Sequence, residues 1–220
     1  MALFKLNYKF VLMSVQLIEG LTNRDFIETY AKPGCIGLVG ADTLIDNSIK
    51  KMQKYITSDG KSSLWSHAFL FTGLREDGHW WIIESDLEFH TKQIKLGVQE
   101  NRAAKYFDEK TFPNLAILNF NLDEDKQKSV IGEGLNLVAS HTEYSIREVF
   151  GALYTLLKKE DRGTKNRMAR DNSLFCSAMV QHCYSTIKLN LTEGIDMKQL
   201  APEDIATTKI HHTQYRLVRV

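Results

Sequence analysis

Ser66-His67-Ala68-Phe69-Leu70-Phe71-Thr72-Gly73-Leu74 and, after Arg75-Glu76-Asp77-Gly78, His79-Trp80-Trp81-Ile82-Ile83-Glu84-Ser85 form the stretch that decides the fold. Each run is strand length and rich in apolar and aromatic residues, and the polar Asp-Gly segment between them is a turn signal. The pair reads as an antiparallel hairpin. If the loop is the four residues Leu74 to Asp77, Thr72 faces His79 and His67 faces Glu84. A register shifted by two makes His67 and Glu84 diagonal neighbours. Both registers put the two side chains on one face of the sheet, because facing positions share a face. A carboxylate at that distance accepts the second imidazole N–H, fixes the tautomer and stabilises the imidazolium.

A third residue belongs with this pair. Cys176 lies in Asp171-Asn172-Ser173-Leu174-Phe175-Cys176-Ser177-Ala178-Met179-Val180. Asn172 or Ser173 suits an N-cap, which makes Ser173 to Ile187 a helix with Cys176 in its first turn. Unpaired backbone N–H groups and the helix dipole favour a thiolate there. Taken singly, each residue has a plain structural role: a buried Cys is a small hydrophobe, a strand His is a packed core residue, and a strand-end Glu is solvated. Together they are the nucleophile, base and orienter of a cysteine hydrolase.

The rest of the chain reads as strands in a central block with helices around it. Helices are expected over Leu21 to Tyr30, Leu44 to Ile56, Asp123 to Ser140 and Ile146 to Lys159, with a short one over Asn101 to Asp108. Further strands are expected at Cys35 to Val39, Thr91 to Val98, Leu115 to Phe120 and Tyr215 to Val220. The run Phe10 to Ile18 reads as a buried strand or helix. It is short and lacks a small-x-small cleavage site, so a cytoplasmic location is expected, with export as the alternative. The charged segment Glu160 to Arg167 reads as an exposed loop.

The chain has 220 residues, 43% of them hydrophobic and 25% charged, which suits one globular domain over 1–220 with 1–30 as an N-terminal extension. A formal net charge of +1 gives no bulk electrostatic case for nucleic acid. No segment is long and apolar enough to suggest an integral membrane span. Cys35, Cys176 and Cys183 are an odd number of thiols, which argues against a disulfide framework and leaves a free thiol to explain. Cys176, His182 and Cys183 lack metal-ligand spacing, and adjacent His211 and His212 point apart in an extended chain, so no metal is expected. There is no phosphate-cradling glycine loop or dinucleotide fingerprint, and no cofactor is expected. The residues indicate no oligomeric state.

Pro33-Gly34-Cys35-Ile36-Gly37-Leu38, Trp65-Ser66-His67-Ala68, Ile82-Ile83-Glu84-Ser85 and Phe175-Cys176-Ser177-Ala178-Met179-Val180, in that order, resemble the circularly permuted branch of the NlpC-type papain-like hydrolases, the group that includes YiiX-like proteins. In that branch the His hairpin precedes the Cys helix. The resemblance runs from about Pro33 to about Val180. It implies an α+β papain-like fold with a central antiparallel sheet packed by helices. It also implies that Cys176 is the nucleophile, His67 the base and Glu84 the orienting residue, with Tyr144 near the active site as a contributor to the oxyanion site. Pro202-Glu203-Asp204-Ile205 resembles the late Pro-led segment of such proteins. Two positions depart from the pattern: Cys35 stands after Pro-Gly and Ala178 after Cys-Ser, where the family often has acidic residues. The substrates implied are small peptide, amide or acyl compounds, cell-wall peptides among them. Two rivals share these residues: a thiol acyltransferase or thioesterase acting on lipid-like acyl groups, and a non-catalytic binding domain on the same fold.

Overall fold

The structure, a computed structural model, describes residues 14–88, 95–142, 151, 155, 162–163 and 174–219. Its strands are β1 (Ser14–Glu19), β2 (Ile36–Gly40), β3 (His67–Leu74), β4 (Trp80–Glu88), β5 (Lys95–Arg102), β6 (Asn114–Asn119) and β7 (Thr213–Val218). They form one seven-stranded sheet in the order β1-β7-β6-β2-β3-β4-β5. Every pair is antiparallel except β1 with β7, which is parallel. The helices among the described residues are α1 (Asn23–Tyr30), α2 (Leu44–Met52), α3 (Glu124–Ala139), α4 (Cys176–Ser185) and α5 (Pro202–Ala206). The molecule is therefore mixed α+β.

Alternation along the strands builds two cores, one on each face of the sheet. Phe69, Phe71 and Ile82 join Leu115 and Ile117 under α1, where Phe26 and Ile27 are fully buried. Leu70, Ile83 and Leu118 face the other way and pack against Val130 of α3 and Met179 and Val180 of α4. Apolar residues on both faces explain why these strands read as continuous hydrophobic runs.

The helix starts follow their caps. Thr22, Thr43 and Asp123 each accept a backbone N–H from the first turn that follows. Leu44 to Ile56 divides into α2 and a 310 turn at Gln53–Tyr55. Asn101 to Asp108, expected as a short helix, is the end of β5 followed by a 310 turn at Ala103–Tyr106. Of the expected strand over Thr91 to Val98, Lys95 to Val98 lie in β5, which continues to Arg102, and residues 91–94 lie outside the described residues. The expected helix over Ile146 to Lys159 lies outside the described residues apart from Gly151 and Thr155, which are helical.

Two readings change. Of the apolar run Phe10 to Ile18, expected to be buried, residues 10–13 lie outside the described residues, and the rest is in β1, an edge strand with Val15 39% and Leu17 61% exposed. A periodic apolar pattern reports strand tendency, whereas burial depends on which neighbours arrive. In the described part of the segment before residue 31, β1 extends the sheet and α1 packs on its core. In the charged loop, Arg162 is mostly enclosed rather than solvated. Its Nη1 donates to Asp204 Oδ1 at 2.9 Å, and its Nη2 donates to the Gln199 carbonyl at 2.7 Å and to Asp204 Oδ2.

Candidate active site

The hairpin brings His67 and Glu84 together through a bulge. Near the turn, Leu74 pairs with Trp80 and Gly73 with Trp81. Continued unbroken, that ladder would set Glu84 opposite Leu70, on the face away from His67. Instead the register shifts between Phe71 and Gly73, so that Phe71 pairs with Ile82 and Leu70 with Ile83. Extending that register sets Glu84 opposite Phe69, diagonal to His67 and on its face. The extra residue is Thr72. Gly73 beside it has a φ of +139°, a conformation that side-chain-bearing residues rarely adopt. Of the two registers the sequence allowed, this is the diagonal one, reached through a longer turn and a compensating bulge.

His67 Nε2 and Glu84 Oε2 are 2.9 Å apart. Glu84 is fully buried and accepts from three further donors. Asn101 Nδ2 at 2.7 Å and Lys105 Nζ at 2.9 Å reach Oε1, and the Tyr106 hydroxyl donates to Oε2. Burial pushes the carboxyl upward, but the hydrogen bond from His67, the charges of Lys105 and His67, and the Tyr106 hydroxyl outweigh it. Glu84 is held far below the usual carboxylate range. Tyr106 is itself fixed: its ring stacks on Phe69 at 4.7 Å, and its carbonyl accepts from Asn23 Nδ2 at 2.8 Å.

Cys176 opens α4 as its first residue, with Phe175 as N-cap in extended conformation. The helix therefore begins later than Ser173. Asn172 and Ser173, the expected caps, lie outside the described residues. Cys176 nevertheless occupies the first turn, where backbone N–H groups have no partner within the helix. Its thiol lies against the His67 side chain and the backbone of Ala68, and its Sγ is 3.9 Å from the Ser177 hydroxyl. Burial works against the thiolate here, yet the charge of His67 and the polar groups of His67, Ala68 and Ser177 prevail, and the thiol lies below its ordinary value. Cys35 and Cys183 behave oppositely: burial pushes each up to about 12. All three thiols are free.

β4 fixes two sides of this site with consecutive residues. Glu84 points to the His67 face, while Ser85, buried on the other face, donates its hydroxyl to the Leu174 carbonyl two residues before Cys176. His67 is fixed from its own N-terminal side. Ser66 N–H donates to the Val39 carbonyl at 2.9 Å, and Gln53 Nε2 donates to the Trp65 carbonyl at 2.7 Å. A side chain at Gly40 would collide with the Leu64 carbonyl at 1.8 Å, so the chain entering β3 can lie this close only over glycine.

The structure thus brings together Cys176, His67 and Glu84. Tyr144 lies outside the described residues. Sequence reading missed Asn101, Lys105 and Tyr106. A buried carboxylate needs donors, which was reason to expect partners, but nothing local to Asn101 to Tyr106 marks them. Among the described residues no group of three His, Cys, Asp or Glu could hold a metal ion, and no helix is long and apolar enough to cross a membrane. No protein-family model matches the chain, and no curated protein is significantly similar to it.

Proposed function

We propose that this protein is a cysteine hydrolase acting on amide bonds through Cys176, His67 and Glu84, on a papain-like scaffold of the permuted NlpC type. The observation that carries the reading is the arrangement itself: Cys176 opens α4 beside an imidazole that is hydrogen-bonded to a fully buried carboxylate, and of the three thiols it is the one whose surroundings favour the thiolate. A packed structural thiol has no need of that arrangement.

In the proposed reaction the Cys176 thiolate attacks the substrate carbonyl carbon, and the π electrons move to oxygen. As the tetrahedral intermediate collapses, the C–N bond breaks and the His67 imidazolium gives its proton to the leaving amine. Water then attacks the thioester with His67 as base, releasing the acid and returning the proton to the Cys–His pair. Glu84 keeps the imidazole oriented throughout. The N–H groups opening α4 are candidate donors to the oxyanion, and by the resemblance Tyr144 is proposed to join them. The resemblance of the motifs suggests small peptide amides, including cell-wall peptides, as substrates.

The test is the pH dependence of iodoacetamide alkylation, read by mass spectrometry, in wild type and His67→Ala. Cys176 is expected to react well below the free-thiol pKa of about 8.5 and to lose that reactivity in the variant. Cys35 and Cys183 should stay unmodified until urea unfolds the chain. Ordinary reactivity at Cys176, unchanged by the His67 substitution, would refute the reading and leave a binding domain.

A further inference from the structure

The buried carboxylate of Glu84 serves two cations. Among the described residues its four donors divide evenly, with His67 and Tyr106 on Oε2 and Asn101 and Lys105 on Oε1. Only His67 and Lys105 among them can carry positive charge. The orienting task needs one cation, the imidazolium, so the second calls for an explanation.

The proposed reaction supplies one, and the inference rests on that reading. His67 must be charged when it faces the leaving amine and neutral once it has given the proton up. With Glu84 fully buried, a neutral imidazole would leave a carboxylate without a counter-ion in a low-dielectric interior, which is costly. The carboxylate would then hold the proton on His67 and oppose its transfer. A permanent ammonium on the other oxygen removes this penalty. The Lys105 side chain is 22% exposed and that of Glu84 0%, so the ammonium remains hydrated in part while its charge acts on the buried group.

We propose that Lys105 is a positioning residue that acts through Glu84: it neutralises the buried carboxylate so that His67 can release its proton during turnover. Among the described residues the groups facing Glu84 are His67 from β3, Asn101 from β5, and Lys105 and Tyr106 from the 310 turn, and Cys176 of α4 faces His67. A lysine ammonium ordinarily stays charged through the neutral pH range, whereas an imidazole does not. Removal of Lys105 therefore strengthens the hold of Glu84 on the imidazolium.

The experiment is an NMR titration of the His67 imidazole in full-length wild type, Lys105→Met, Lys105→Gln and Lys105→Arg, with the resonance assigned by His67→Asn. Met and Gln are each expected to raise the His67 pKa by about one pH unit, and Arg is expected to restore the wild-type value. Gln keeps a donor to Glu84 and removes only the charge, so it separates the two contributions and serves if the Met variant does not fold. An unmoved His67 pKa in a folded neutral variant overturns the proposal and leaves the triad intact. Ordinary Cys176 alkylation in wild type instead overturns the underlying hydrolase reading, which this titration does not measure.

Discussion

At the residue scale, Tyr106 shows how a side chain with no sequence signature becomes part of a site. It follows Lys105 in a 310 turn, is almost wholly buried, and donates its hydroxyl to Glu84 while its ring packs on Phe69. A hydrogen bond to a charged group contributes about 1.5–3 kcal/mol. Tyr106→Phe keeps the ring and removes one of four donors, so it should cost about 1.5 kcal/mol in urea denaturation. It should also slow Cys176 alkylation at neutral pH, because His67 is then less well anchored. A variant as stable as wild type would mean that the other three donors already satisfy the carboxylate.

At the element scale, the β3–β4 hairpin depends on its bulge. The turn and the first two pairs set a register that would separate His67 from Glu84, and the shift at Thr72 reverses it. Gly73 carries the unusual backbone conformation, and a Cβ there would meet only Pro33 Cγ at an ordinary 3.7 Å. Any cost of Gly73→Ala is therefore conformational rather than a clash. The expected loss is about 2 kcal/mol, measured by urea unfolding. If the bulge relaxes instead, stability is kept and Cys176 reactivity falls, because the strand face presented to Glu84 changes. Wild-type values for both stability and alkylation would show that the bulge does not need glycine.

At the scale of the whole molecule, the site links acid sensitivity to folding. Glu84 lies below its ordinary 4.5 in the folded protein, so between the two values the unfolded chain binds more protons. The stabilisation is present above about 4.5 and is lost as pH falls toward the folded value. Glu84→Gln should be less stable than wild type at pH 7, and the gap should narrow at pH 3.5. A gap that stays constant across this range would remove Glu84 as a source of acid sensitivity. The site also spans both layers of the molecule: Glu84 and Tyr106 belong to the face under α1, whereas Cys176 packs with α3 and α4. Loss of either layer should therefore disable it.

The sequence by itself determined the strand runs of β2, β3, β4 and β6, the helices read over Leu21 to Tyr30, Leu44 to Ile56 and Asp123 to Ser140, and the shared face of His67 and Glu84. Each follows from local periodicity, an acidic first turn or the pleat, which neighbours along the chain encode. It also marked Cys176 as a first-turn residue, though it set the helix start too early. Only the tertiary structure decided that Lys105, Asn101 and Tyr106 surround Glu84, that Ser85 anchors the approach to Cys176, that β1 is an exposed edge, and that a bulge sets the hairpin's register. These depend on contacts between segments distant in sequence, or on how a turn and a strand compromise. A buried carboxylate requires partners, but its own segment does not say which part of the chain supplies them.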